Sequence, residues 1–597
     1  MNIFLAVAPK DNQLLPGFRN FIQESAPALL PFGRMDYESA LWDNGNVVSA
    51  SYSIHAEHVP IRSYSSKTVD RFCSFNGIPL FQNQPRGSWA DELLQGLSED
   101  SIDLESLGGY YNLLFVDGRK MTAWNCISRV EPVYWADNDR CVVIGNRASL
   151  VQAVANQTLE LERSSHSLLP LSTAGWLAND SVPFAGVNLL ANGQTISVDF
   201  NGVHISDYKP YEYSDNEDLT TGMANQLYDE ICNELVMGIK RIADFSSPLM
   251  INLSGGKDSR IMAALCAAAD IPFYCVTSGS NKDREVVVAS EVARILNAEH
   301  RTSERKPSDG IPQVDIFSKL QEHVSQGDGM INVFDPVYPI RLKPNTLLNG
   351  HGGECLRGGY DMIRQGARPE ILDADMAAGF LKNLNLRNSH LFLKEDAEEF
   401  QRSTNSGIIL RYLDSNFPIS HFYDYAYTVY REGRGVANLR QASAYGAFAF
   451  SPFLNDNVLK LGWKFPLEAR KSDTLYYNIL LRLNHELAHH RFSDSRWKFE
   501  SEGPGPETSH SDWLAREPLP PSPPQAAAHH WRLGYDDYMR DPVRDYLLQN
   551  ETNEIYDFTD YNKLQGILNA PAPTNNAVMQ SVFGLLTAAF FFNGDYL

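Results

Sequence analysis

An α/β chain of two domains is predicted, mostly β at first and then built on a parallel sheet. Three observations carry this. Residues 1–210 are written in short alternating or β-branched runs separated by turn residues. At residue 249 an apolar run, Leu249-Met250-Ile251-Asn252-Leu253, meets a Ser-Gly-Gly turn and then an Ala-rich segment ending at Ala269. After it, strand and helix signals alternate, the pattern of a parallel sheet covered on both faces.

In the first part the clear strands are residues 110–116, ending at Asp117-Gly118, then Val133-Tyr134-Trp135, residues 142–144, and residues 195–200, ending at Asn201-Gly202. The opening stretch, residues 1–9, is apolar but too short for a signal-peptide core and lacks a basic lead, so it reads as a first strand. A linker follows at residues 208–216. Met223, Leu227, Ile231, Leu235 and Ile239 then recur at four-residue spacing and predict an amphipathic helix. Beyond the Ser-Gly-Gly turn, residues 273–277 make a second strand. Residues 283–297 make a second helix, with Val286, Val287, Val292, Ala293 and Leu296 as its apolar set. The remainder reads as predominantly helical, and residues 504–524, rich in proline, form neither helix nor strand.

Composition narrows the classes. The 597 residues carry a net charge of −22, a surface that repels phosphate backbones, and no long basic run, so no nucleic-acid partner is expected. The seven cysteines are dispersed without a CxxC pair, which points to free thiols in a reducing cytosol and offers no zinc or iron–sulfur framework. No uninterrupted apolar run approaches membrane-spanning length, so no membrane partner is expected either.

The Ser-Gly-Gly turn is the chemical centre. Where a strand turns into a helix, the turn's N–H groups and the helix N-terminus converge and stabilise an anion. Gly255 and Gly256 let backbone approach a phosphate, Ser254 and Ser259 add hydroxyl donors, and Asp258 offers a carboxylate for a metal riding on phosphates. Residues 347–360 contain a second glycine-rich turn, with glycines at 350, 352, 353, 358 and 359, after another short strand.

Ser254-Gly255-Gly256-Lys257-Asp258-Ser259 resembles the SGGxDS loop of the ATP pyrophosphatases, which split ATP to AMP and pyrophosphate. It is not a Walker loop, because Asp258 follows Lys257 where Ser or Thr would be needed. Residues 349–360 resemble the second signature of asparagine synthetases, SGEGxDExxGGY. By that alignment Glu354 takes the aspartate that shares magnesium with Asp258. His351 takes the position that is Glu in asparagine synthetases and Tyr in β-lactam synthetases, and Cys355 replaces an acidic residue. Ser451-Pro452-Phe453-Leu454-Asn455 and Phe465-Pro466 resemble a later landmark. Ile479-Leu480-Leu481-Arg482 resembles a helix whose family lysine is Asn478 here, with Lys471 a candidate substitute. Residues 491–503 resemble the segment that delivers the family's catalytic lysine, matched by Lys498. In the first part, residues 108–117, Pro132-Val133-Tyr134 and residues 183–193 match, in order, the glutaminase domain of asparagine synthetases.

The resemblance implies a layered, mostly β, Ntn-hydrolase-like domain over residues 1–210. Residues 216–597 would form a parallel-sheet ATP-pyrophosphatase domain, adenine nucleotide α-hydrolase-like, with helical additions. It implies that ATP and a carboxylate give an acyl-adenylate and pyrophosphate, and that an amine then attacks. Ser254, Gly255, Gly256 and Ser259 would hold phosphate, backbone near Leu253, Val276 and Gly350 would read adenine, and Asp258 and Glu354 would hold Mg2+. Lys498 would stabilise the tetrahedral intermediate and pyrophosphate, and His351 would take the amine's proton. The glutaminase chemistry is absent by the same comparison. The nucleophilic cysteine that follows the initiator methionine is Asn2 here, Ile78 replaces a substrate-binding carboxylate after Asn76-Gly77, and Asn125-Cys126 stands at an Arg-Asp pair.

A family member without glutaminase joins a carboxylate to an amine already on its substrate. The expectation is therefore a lasso-type macrolactam cyclase acting on a peptide, together with a leader-peptidase or leader-binding partner. A β-lactam or carbapenam synthetase acting on a small amino-acid-derived substrate is the alternative. A tRNA-modifying pyrophosphatase and a non-catalytic scaffold are further readings.

Overall fold

The protein is described here by a computed structural model. It describes residues 1–32, 36–54, 61, 63–81, 88–209, 213, 219–244, 246–303, 313–335, 346–359, 371, 373–415, 417–443, 448–493, 496–502, 531–571 and 574–596.

The strands are β1 (Asn2–Pro9), β2 (Glu38–Asp43), β3 (Val48–Ser53), β4 (Ser65–Lys67), β5 (Arg71–Leu80), β6 (Gly108–Asp117), β7 (Lys120–Asn125), β8 (Tyr134–Asp137), β9 (Cys141–Gly145), β10 (Asn188–Leu189), β11 (Gln194–Asp199) and β12 (Gly202–Asp207). They form two antiparallel six-stranded sheets, ordered β10-β8-β9-β1-β3-β2 and β12-β11-β7-β6-β5-β4. Strand alternation explains why neither sheet has a solvated centre. On β1, Phe4 and Ala6 point into the layer between the sheets, with Phe72, Leu114, Val116 and Ile144. Ile3, Leu5 and Val7 point the other way, onto helices. On β6, Leu114 and Val116 face inward while Leu113 joins a core shared with the second domain. The result is the helix–sheet–sheet–helix layering expected of an Ntn-hydrolase-like domain.

The outer helical layer is partly built by the far end of the chain. Helix Asn576–Asn593 lies in the same core as β1, with Phe583, Leu586 and Phe591 buried. The sequence reading missed this element as an apolar run. It is an 18-residue helix long and apolar enough to cross a membrane by length and composition, and 72% of it is buried inside this protein.

The second sheet system is wholly parallel: β13 (Leu249–Asn252), β14 (Phe273–Ser278), β15 (Glu299–Ser303), β16 (Leu347–Leu348) and β17 (Ala449–Phe450), ordered β15-β14-β13-β16-β17. The chain winds outward from β13 to β15 and then resumes on the other side with β16. The crevice between the C-terminal ends of β13 and β16 is therefore a topological switch point, where α/β sheets bind ligands. Both glycine-rich turns emerge there.

The helix Thr221–Ala243 forms as its spacing predicts, but Met223 is exposed, and Tyr228, Ile231, Cys232, Leu235 and Ile239 carry its buried face. The two domains are riveted through Asn455 and Asp456. Asn455 Oδ1 accepts the Gly109 N–H at 2.7 Å, and Asp456 accepts the Ile127 N–H at 3.1 Å and the Lys209 ammonium at 3.0 Å, all buried.

Candidate active site

The helix that starts the site, Lys257–Ala268, begins directly at the turn, with Gly256 as its N-cap and Asp258 in its first turn. The loop is held tightly by its own groups. The Ser254 N–H donates to Ser259 Oγ at 3.0 Å, the Gly256 N–H to Ser254 Oγ at 3.1 Å, and the Gly255 N–H to a carboxylate oxygen of Glu285 at 2.5 Å. Ser493 donates its hydroxyl to the other Glu285 oxygen at 2.5 Å and packs so closely on Gly255 that a Cβ there would overlap it. An anion entering this loop takes over donors that Glu285 now uses.

The second turn closes on the first. A Cβ on Gly353 would overlap Asp258 Oδ1 and the Tyr476 hydroxyl, so only glycine lets the turn seat against Asp258. Asp258 Oδ1 accepts the Tyr476 hydroxyl at 2.9 Å, and Oδ2 accepts Arg357 at 3.0 Å. The same Arg357 nitrogen lies 3.8 Å from Glu354. Burial raises the Glu354 pKa and the Asp258 charge adds to it, against Arg357. Burial opposes the Arg357 charge, but Asp258, Tyr476 and Glu354 outweigh it and hold its pKa above the ordinary value.

Leu253, Val276 and Gly350 lie together at this sheet edge, the Leu253 N–H donating to the Val276 carbonyl at 3.0 Å. Asp258 and Glu354 are hard oxygen donors of the kind that hold Mg2+ jointly with substrate phosphates, so the donor set fits that ion. Among the described residues no group of three or more His, Cys, Asp or Glu could hold a metal, so phosphate oxygens and water would complete its shell.

The backbone of Lys498 is tied to the loop helix through contacts far from the loop in sequence. Lys257 and Arg260 share one face of the loop helix. Buried Arg260 donates to the carbonyls of Leu487, His490 and Arg491 and stacks on Phe492 at 4.0 Å, fixing that segment. Lys257 bonds the buried Asp473 at 2.5 Å, and the same Asp473 oxygen accepts the Lys498 backbone N–H at 3.1 Å. Burial lowers the Lys257 pKa while Asp473 raises it. Asn478, at the family's lysine position, is turned onto the Thr474 carbonyl, whereas Lys471 runs past Gly358, beside Arg357.

His351 is exposed, and its backbone N–H donates to Asn349 Oδ1 at 3.2 Å. The protein packed around the ring disfavours its charge, and Arg440 and Arg431 add to this against Asp258, taking its pKa down to about 4. That shift keeps the imidazole neutral at neutral pH. The sequence reading also missed a buried acid. Glu432 lies in a π-helical turn, Tyr427–Val436, an irregularity frequent at functional sites. Burial, reinforced by Glu354, raises its pKa to about 7, and one of its oxygens has no hydrogen-bond partner. It shares Arg431 and Arg440 with His351 as charged neighbours.

In the N-terminal domain, Asn2 is fully buried. Its amide donates to Ser74 Oγ and the Phe75 carbonyl, both at 2.8 Å, and its Oδ1 accepts from Ser51 and Ser53 at 2.7 and 3.0 Å. Its N–H donates to Asn76, which in turn donates to Glu131 at 2.6 Å. Burial pushes the Glu131 pKa up to about 7, against Arg440 and Asn76. Folding thus favours its neutral form: that stability is full below about 4.5 and is lost as pH rises through about 7. Glu131→Gln, neutral at every pH, is expected to stabilise the protein by up to ~3 kcal/mol above pH 7 and to leave it unchanged near pH 4.5. Melting temperature followed against pH checks this, and a gain independent of pH would contradict it.

The switch-point loop thus gathers backbone N–H and hydroxyl donors beside two acidic side chains, Asp258 and Glu354, that share Arg357. Residues 235–490 match the family model described as asparagine synthase, and the match supports an asparagine synthetase-like ATP-pyrophosphatase domain over that stretch. That domain supports an ATP-dependent, AMP-forming carbon–nitrogen ligase that makes amides. No curated protein matches. Among solved structures, "structure of the allosteric regulatory enzyme of purine biosynthesis" aligns at 11% identity over 53% of this chain and 82% of that one, with a TM-score of 0.24. A glutamine phosphoribosylpyrophosphate amidotransferase from B. subtilis, complexed with ADP and GMP, aligns at 9% identity over 60% and 77%, with a TM-score of 0.23. Scores this low decide neither the fold nor the chemistry of this chain.

Proposed function

We propose that the protein activates a substrate carboxylate as its acyl-adenylate and closes it with an amine carried by the same substrate, forming a macrolactam in a lasso-type peptide without glutamine. The observation that carries the reading is Asn2. The position that needs a thiolate holds a carboxamide, which is no nucleophile, and its donors and acceptor are all engaged in the buried network around it.

The roles follow from the site. The N–H and hydroxyl groups of Ser254, Gly255, Gly256 and Ser259 bind phosphate and stabilise charge on the departing pyrophosphate. Asp258 and Glu354 would hold Mg2+, which when bound neutralises the same charge. Backbone near Leu253, Val276 and Gly350 receives adenine. Lys498, anchored by Asp473, supplies positive charge to the adenylate and the tetrahedral intermediate. The amine must lose a proton to a group of suitable pKa. His351, on the second glycine-rich turn, is one candidate for that base, and the buried Glu432, whose pKa burial and Glu354 raise to about 7, is a second.

A β-lactam-type closure of a small substrate uses the same steps and differs only in what fills the acceptor side. The acidic surface counts against a tRNA substrate. A leader-peptidase or leader-binding protein is the partner this function would need, in the cytosol, where ATP is available. The test is to incubate the protein with ATP, Mg2+ and leader-free candidate peptides bearing an acidic side chain, without glutamine. AMP formed one-for-one with a dehydrated peptide supports the reading. AMP formation only when glutamine is supplied counts against it.

A further inference from the structure

We propose that Arg357 is a phosphate ligand with two positions. In the free protein it is parked between Asp258 and Glu354, and it transfers to the pyrophosphate end of the nucleotide when a metal-bound nucleotide takes over those carboxylates. This rests on the nucleotide reading of the site.

The guanidinium now does what a cation does there. It bonds Asp258 at 3.0 Å, lies 3.8 Å from Glu354, and stacks over the Tyr476 ring at 4.8 Å. Arg357 is 9% exposed, and its Nε, fully shielded, has no hydrogen-bond partner, so part of its donor fork is unspent. A guanidinium and a divalent ion cannot both neutralise one carboxylate pair at close range. When the metal displaces Arg357, a buried charge without a counter-ion is left, which costs several kcal/mol unless an anion accompanies the exchange. The nucleotide's phosphates are that anion, and a planar fork with a free donor suits them better than an ammonium would.

A further feature agrees. On the loop, the Glu285 carboxylate occupies the Gly255 N–H and the Ser493 hydroxyl, as a phosphate oxygen would. The free site therefore carries its own substitutes for both halves of a metal–phosphate pair, Arg357 for the cation and Glu285 for the anion.

The test uses the full chain and two probes that need no turnover: Mn2+ alone, followed by its paramagnetic resonance, and inorganic pyrophosphate with Mg2+, followed by calorimetry. Arg357→Gln is expected to bind Mn2+ at least ~10-fold more tightly than the native protein, because its competitor is gone, and to bind pyrophosphate at least ~10-fold more weakly. Arg357→Lys keeps the charge but loses the fork, and should weaken pyrophosphate binding at least ~3-fold, so it serves if the glutamine variant does not fold. Unchanged pyrophosphate binding in whichever variant folds overturns the proposal, as does unchanged Mn2+ affinity in Arg357→Gln. Native protein that binds neither ATP nor pyrophosphate contradicts the nucleotide reading itself, a different failure.

Discussion

Asp258→Asn is expected to lower ATP-to-AMP turnover by about 10³-fold or more while leaving the protein folded. The substitution preserves shape: a carboxamide oxygen can still accept from Tyr476 or Arg357, which now bond the two carboxylate oxygens at 2.9 and 3.0 Å. What disappears is the negative charge, and with it half of the Asp258–Glu354 pair that shares Arg357. Arg357 then keeps Glu354, at 3.8 Å, and the charge of Asp473 as its acidic neighbours, so a modest fall in melting temperature accompanies the loss. Turnover within tenfold of the native rate would remove Asp258 from the chemistry.

Lys498→Ala separates activation from binding. The residue is anchored through its backbone N–H to Asp473, a bond that alanine keeps, so the start of helix Lys498–Glu502 and the Lys257–Asp473 pair should survive. ATP affinity is expected to change by less than ~3-fold, since the loop donors are untouched, while ligation falls by about 10³-fold or more. Equilibrium binding of ATP beside a single-turnover assay for AMP makes the distinction. Ligation at the native rate would reduce Lys498 to a surface residue.

These two residues were legible in the sequence because short, glycine-punctuated or charged motifs carry them. The neighbours that make them work were not. Asp473 is 216 residues from Lys257, and nothing local marks it as the anchor of both Lys257 and Lys498. Arg357 was visible as a letter inside the second signature, yet its position between two carboxylates depends on how that turn closes against Asp258. Glu285 sits in the first turn of an ordinary helix, Arg284–Ile295, and becomes a loop ligand only because β14 returns it to the sheet edge. Glu432 could not be found by periodicity, since a π-helical stretch breaks the 3.6-residue count.

The fold shows the same division. β6, β9, β11, β13 and β14 formed where alternation or apolar runs placed them, since the sheet period is short and local. The helix Asn576–Asn593 was overlooked because its apolar residues wrap all round it, the mark of a helix buried on every side. Its role in covering the sheet of β1 comes from contacts across nearly the whole chain. The proline-rich residues 504–524 lie outside the described residues, as does Tyr360 at the end of the second signature.

The most direct measurement is the mass of the product formed from a leader-free peptide with ATP in the presence of glutamine carrying a 15N side-chain amide. The account predicts a product lighter than the substrate by one water, with no 15N incorporated and one AMP per product. A product carrying 15N would contradict it, because the amide nitrogen would then have come from outside the substrate.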